Sequence, residues 1–127
     1  MNPSYKDIGE YFAKQYYQMY DTGNIDQLAS MYHDSALLTF EGDQKQGKEA
    51  IRAKHGVLAA KTCHNITTID CQPTYNDNGV TVSIVGQIKT EGEDKVLGFT
   101  HMFIIRPFED GNFYITNEVF RLALHNF

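Results

Sequence analysis

An α+β fold, with its helices first and its strands after, is predicted by three observations. Apolar residues recur at helical spacing through the N-terminal part of the chain. From His64 onward, short segments rich in Ile, Thr, Val and Phe are separated by turns of Gly, Asn, Asp and Pro. The two patterns are segregated rather than alternating, which favours an antiparallel sheet with helices on one face over a doubly wound parallel sheet. At 127 residues the chain is predicted to be one domain, spanning residues 1–127.

In chain order, Ser4 with Asp7 forms a helix-start signal. Ile8, Tyr11, Phe12, Gln15, Tyr16, Met19 and Tyr20 follow at helical spacing. Asp21-Thr-Gly-Asn24 is expected to end that helix, and Asn24 to cap a second, short one running through Leu28 and Met31. Leu37–Phe40 and Lys45-Gln46 flank Glu41-Gly-Asp-Gln and read as a small hairpin around Gly42. A third helix is expected from about Lys48 to Ala59. Four long antiparallel strands then follow: His64 to Thr74, Val80 to Gly86, Val96 to Arg106 and Phe113 to Leu124. Gly86 and Gly98, inside strand patterns, are candidates for bends in the sheet.

Composition narrows the function. The chain is 42% hydrophobic and 13% aromatic, with eight Tyr, eight Phe and no Trp. A net charge of −5 argues against general nucleic-acid binding, which needs a basic surface, and favours a basic protein partner if the acids cluster. No apolar h-region opens the chain and no apolar run is long enough for a membrane helix, so neither a signal peptide nor a span is expected. Cys63 and Cys71 are expected on the same face of one strand but roughly 26 Å apart, too far for a disulfide. Reduced thiols of a cytosolic or nuclear protein are therefore expected. No Cys/His spacing reads as a metal site, and no metal or cofactor is expected.

Two acidic turns are the main candidate for a site: Glu41 with Asp43, and Glu91, Glu93 with Asp94. Turn carboxylates are ordinarily just solvated. The alternative is that both turns lie at one rim, around an apolar mouth lined by Phe40, Leu58, Val96 and Leu97. Such a mouth suits a partner that presents an aromatic side chain beside Lys or Arg. Burial of the ring would supply about 1.5–3 kcal/mol, and the exposed ion pairs mainly register and on-rate. The aromatic N-terminus, Tyr5, Tyr11, Phe12, Tyr16, Tyr17 and Tyr20, spreads around its helix, so not all of it can face one core. The last twelve residues, Thr116 to Phe127, carry apolar residues on both parities: Phe120, Leu122 and Leu124 on one, Val119, Ala123 and Phe127 on the other. Both faces of that strand then need cover, with helices on one side and a partner subunit on the other.

Gln46-Gly-Lys-Glu-Ala-Ile51, Val85-Gly-Gln-Ile-Lys89, Gly98-Phe with Met102-Phe103, and the C-terminal twelve residues together resemble the nuclear transport factor 2 family. The resemblance covers essentially the whole chain. It implies a cone-shaped roll, a curved antiparallel sheet with three helices packed on its concave face. It also implies a homodimeric import carrier for the GDP-bound GTPase Ran, moving between cytoplasm and nucleus by contacts with Phe-Gly-repeat nucleoporins and enriched at the nuclear pore. In that family an aromatic residue of Ran enters the cavity and rim carboxylates pair with basic residues beside it. Glu41 and, in the loop after Lys89, Glu91 and Glu93 stand at those positions. The loop from Thr90 to Leu97 is one residue longer than usual, which lets Asp94 stand in for Glu93. Phe40 stands where Trp is common. The nucleoporin contact falls on Tyr5, in place of the usual Trp, and on Asp21. Val82, Ile84, Met102, Ile104 and Val119 are the candidates for the dimer face; strand parity leaves open whether they fill the cavity side instead.

Two other functions share this fold. A cavity-type isomerase or dehydratase would need an acid–base set, and His101 beside Tyr114 or Glu118 is the best one the sequence offers. A dimerising adaptor domain, as in RNA-export or stress-granule proteins, would have no need of the acidic rim. The reading taken from the sequence is the carrier, with no catalytic residues.

Overall fold

The structure, a computed structural model, describes residues 1–123. Three helices, α1 (Tyr5–Thr22), α2 (Ile25–Ser30) and α3 (Lys48–Gly56), accompany six strands: β1 (Tyr32–Phe40), β2 (Asp43–Gln46), β3 (Thr62–Pro73), β4 (Val80–Thr90), β5 (Leu97–Pro107) and β6 (Phe113–Ala123). One curved sheet in the order β2-β1-β6-β5-β4-β3 holds them all. The four long strands are antiparallel, as expected. The early strand β1 pairs parallel with the last one, β6, so the sheet is mixed. That pairing joins the two ends of the chain and leaves no local sequence signal.

The helical start differs in its cap. No side-chain bond forms from Ser4; instead Asn2 Oδ1 accepts from the Ser4 amide. The Asn24 side chain does cap α2, accepting from the Gln27 amide. Helix α3 stops three residues earlier than its pattern suggests, at Gly56, and β1 starts earlier, at Tyr32.

Helix α1 lies against β3 and β4. Close approach is possible because Gly9 faces the sheet: a β-carbon there would stand 2.5 Å from Cys71 Sγ and 3.2 Å from Val80 and Val82. The core is one cluster that includes Tyr16, Leu28, Tyr32, Leu38, Ile51, Val82, Ile84, Phe99, Phe103 and Ile115.

Register decides which residues see that core. A bulge between Ile66 and Thr68 inserts one residue in β3. One extra residue reverses the faces of everything beyond it. Cys63 is therefore exposed on the outer face while Cys71 packs on the inner one, correcting the same-face expectation; both thiols are free. Opposite the bulge, Gly86 lets the Asn65 carbonyl and the Phe99 ring close in, since a β-carbon would lie 2.5 Å and 2.9 Å from them. Gly98 has no such crowding.

Parity also corrects two dimer-face candidates. Val82 and Ile84 are wholly buried on the inner face of β4. Met102, Ile104 and Val119 lie on the other face, with Met102 paired to both Val119 and Ser83. Val85, 46% exposed, joins them there. The inner and outer sets interleave along each strand, so only the location of the core separates them. Leu124 and Phe127 lie outside the described residues.

Candidate functional site

One end of the sheet gathers both acidic turns. β1 and β6 run parallel and finish there at Phe40 and Ala123, β5 starts there at Leu97, and β4 ends there at Thr90. The Glu41-Gly42 turn follows β1 and the Glu91–Val96 loop follows β4. Three inter-strand steps separate β1 from β4, about 15 Å at the usual spacing. Glu41, Asp43, Glu91, Glu93 and Asp94 are all exposed.

Glu41 is held. Its amide donates to the Phe120 carbonyl at 3.0 Å, and its Oε1 accepts from the Leu122 amide. Its φ of 53° places it in the left-handed region, where a side chain is uncommon. These constraints fix a carboxylate beside the mouth. The second loop is anchored at its start, where the Glu91 amide donates to the Lys61 carbonyl at 2.7 Å.

Between the turns, Phe40, Leu58, Ile88 and Phe120 surround a small void with Tyr16, Tyr17, Tyr20, His64 and His101 deeper in. Phe40 and Phe120 stack nearly parallel, 4.7 Å apart. Leu97 pairs with Ile88 at the edge and Val96 is 52% exposed. Of the mouth candidates, Phe40 and Leu58 line the void, whereas Val96 and Leu97 lie outside it at the β4–β5 edge. Ile88 and Phe120 belong with Phe40 and Leu58, although sequence spacing gave no reason to include them.

Below the void lies a buried carboxylate, Glu118, which is 2% exposed. Tyr16 OH donates to its Oε2 at 2.6 Å, His101 Nε2 meets the same oxygen at 2.6 Å, and Tyr32 OH donates to Oε1. Tyr17 OH bonds His101 Nδ1. Since Tyr32 gives its proton to Glu118, it accepts from His55 Nε2–H at 2.8 Å. His55 Nδ1 is the one buried side-chain polar atom without a partner among the described residues. Burial alone pushes the Glu118 carboxyl up. The hydrogen bond from His101 and the nearby His55, 3.9 Å away, outweigh burial and hold it well below the usual carboxylate range. Burial, and then the negative charge of Glu118, push the Tyr16, Tyr17 and Tyr32 hydroxyls upward, so they remain protonated donors.

This network is the acid–base set considered from the sequence, with a correction. His101 meets Glu118, whereas Tyr114 bonds Asp110 at the opposite end of the sheet. The void above it measures ≈ 10 Å³, room for about one water.

The two residues expected to bind nucleoporin repeats are not neighbours. Tyr5 opens α1 and Asp21 lies near its end, about 24 Å away at ~1.5 Å per residue. Asp21 is at the mouth end of the sheet. Its Oδ1 accepts from Thr62 Oγ1 at 3.0 Å and meets His64 Nδ1 at 2.6 Å; its Oδ2 accepts from the His64 amide at 2.9 Å. In one subunit Asp21 clamps α1 to β3 and does not share a site with Tyr5.

No group of three or more His, Cys, Asp or Glu arranged to hold a metal ion occurs among the described residues, and no described helix is long and apolar enough to cross a membrane.

Comparison with known proteins shows the family to which the chain belongs. Residues 8–122 match the nuclear transport factor 2 (NTF2) domain. "Nuclear transport factor 2B" of Arabidopsis thaliana is 38% identical over 91% of this chain and 91% of its own. "Probable nuclear transport factor 2" of Caenorhabditis elegans is 38% identical over 98% of this chain and 97% of its own. The solved structure of nuclear transport factor 2 from Cryptosporidium parvum superposes with a TM-score of 0.88 at 34% identity, covering 97% of this chain and 98% of that one.

Proposed function

This chain belongs to the nuclear transport factor 2 family, and from that premise we propose that it is a homodimeric nuclear import carrier for GDP-bound Ran. It works between cytoplasm and nucleus. The observation that carries the reading is the convergence of the two acidic turns on one apolar mouth. Glu41 beside Phe40 and Phe120, and Glu91 with Glu93 or Asp94 across the mouth, match a ligand with an aromatic side chain between basic ones. Ring burial supplies affinity. The carboxylates set orientation, on-rate and rejection of acidic partners.

The dimer forms through the outer sheet face, where Met102, Ile104, Val119 and Val85 make an apolar patch among Thr, Ser and Asn side chains. A two-fold contact there covers the patch and places both mouths at the ends of the assembly. Tyr5 contacts Phe-Gly repeats during passage through the pore, where the protein concentrates. Weak contacts suit that task, because each repeat must be released quickly.

The carrier acts by binding selectivity. The Glu118–His101 network is closed beneath the mouth and every donor around the carboxylate is already engaged, so it builds the site instead of performing chemistry. Calorimetric titration with Ran loaded with GDP, then with a non-hydrolysable GTP analogue, tests the reading. Binding of the GDP form alone, at about one Ran per subunit, is the expected result. No binding to either form would leave the fold without this function and return the adaptor reading.

A further inference from the structure

The mouth is shut in the free subunit. Its void of ≈ 10 Å³ takes about one water and no aromatic ring. Phe40, the wall an incoming ring would meet, lies against Phe120 and has a lysine above it: Lys54 Nζ stands 5.3 Å from the Phe40 centroid. The same ammonium reaches Asp43 Oδ2 at 3.3 Å. Lys54 comes from α3 and Asp43 from the start of β2, so this single cation ties the helix side of the mouth to the acidic turn. It is only partly exposed, at 29% of its side chain. Lys45 also approaches Asp43, at 3.6 Å, but has no contact with the Phe40 ring.

These contacts place a positive charge against the Phe40 wall of a site that, in the carrier reading, receives positive charge. We propose that Lys54 is the latch and the charge filter of the mouth. In the free subunit it covers Phe40 and neutralises Asp43. On docking, a basic side chain of the partner takes Asp43, Lys54 swings clear, and the Phe40 ring becomes available to the partner's aromatic residue. A partner with the aromatic residue but no basic neighbour has nothing to offer Asp43 and leaves the latch closed. Lys54 therefore lowers affinity for every ligand and costs least for the one that replaces it. The proposal rests on the carrier reading of the same mouth.

The test compares Lys54→Met, Asp43→Asn and Lys45→Met with the unaltered full chain, measuring association and dissociation of GDP-bound Ran at low and high salt. Lys54→Met keeps an apolar stem over Phe40 and removes the cation. It should bind about threefold to tenfold tighter at low salt, mostly through faster association, with the gain shrinking as salt screens the site. Asp43→Asn leaves Lys54 uncompensated at the mouth and should bind about threefold to tenfold more weakly. Lys45→Met should change binding by less than about twofold, as for an exposed pair. Opposite signs from the two partners of one ion pair are not what loss of folding produces, and thermal unfolding of each variant checks that directly. Equal or weaker binding by Lys54→Met, with the unaltered chain binding normally, overturns the latch and leaves the carrier intact. Failure of the unaltered chain to bind GDP-bound Ran overturns the carrier reading, and the latch with it.

Discussion

Two sets of carboxylates lie within one small region and do opposite things. Glu118, at the floor, is buried and receives bonds from Tyr16, Tyr32 and His101. Glu41, Glu91, Glu93 and Asp94, at the rim, face solvent, and among the described residues the one side-chain hydrogen bond they make is that of Glu41 with the Leu122 amide. Residue type does not separate these groups; burial and donor count do. A buried carboxylate is tolerable only when its lone pairs are filled. Once they are filled, it has little left to offer a partner. The exposed carboxylates contribute little to the fold and keep their charge for an incoming cation. The difference teaches how to divide one acidic chain into residues that build the site and residues that use it.

The largest effect should come from the floor. Glu118→Gln replaces a charged acceptor of three bonds with an amide that must point two of its own donors at occupied neighbours. It should cost about 3–5 kcal/mol, the usual penalty for breaking a buried charged network, read as the denaturant midpoint. The same group sets a pH dependence. Its carboxyl is held below the ordinary value in the folded state. Its stabilisation is therefore complete above the unfolded value of about 4.3 and is lost as pH falls below that toward the folded value. The unaltered chain should lose stability steeply below about pH 4, and Glu118→Gln should lose less over the same range. Equal acid sensitivity in the two proteins would remove Glu118 from its structural role.

An intermediate effect should come from Asp21, which belongs to the mouth end but behaves like the floor. Asp21→Asn weakens a clamp that joins α1 to β3 through Thr62 and His64, and should cost about 1.5–3 kcal/mol, as for bonds to a charged group. Binding of Phe-Gly-repeat peptides should survive in the folded fraction; a repeat-specific loss with unchanged stability would return Asp21 to the nucleoporin site. The smallest effect is expected at Tyr5, remote from both regions. Tyr5→Ala should weaken repeat-peptide binding severalfold with Ran binding unaltered, at a modest cost in stability because the ring is half-buried against the core, checked by titration of both ligands. Loss of both would make Tyr5 a structural residue.

Much of this was legible in the sequence, and the gaps have physical causes. Segregated periodicities gave the fold class and the element order, because helix and strand patterns are local. The acidic turns were visible because Gly42 and Gly92 mark them. Their convergence followed from the family resemblance; in the structure it depends on β1 lying parallel to β6, a pairing between distant segments. Val82 and Ile84 are candidates for either face in the sequence, because alternation gives two sets without saying which is inner; the structure puts both inside. Cys71 changed face through a bulge that no residue type announces. The floor is half legible: the sequence offers His101 beside Glu118, but nothing local distinguishes a buried hydroxyl with a partner, as at Tyr16, Tyr17 and Tyr32, from one without. Lys54 over Phe40 was invisible for the same reason, since α3 and β1 meet only in the folded chain.

The division between floor and rim is tested most directly on one variant, Glu41→Lys, by measuring its binding to GDP-bound Ran and its thermal unfolding in the same preparation. Binding should disappear while the midpoint falls by about 5 °C or less, the cost of one exposed hydrogen bond, and the dimer should remain. Normal binding would show that the rim carboxylate does not hold the partner. Loss of binding together with general unfolding would show that Glu41 is as structural as Glu118, and the distinction between the two regions would fall.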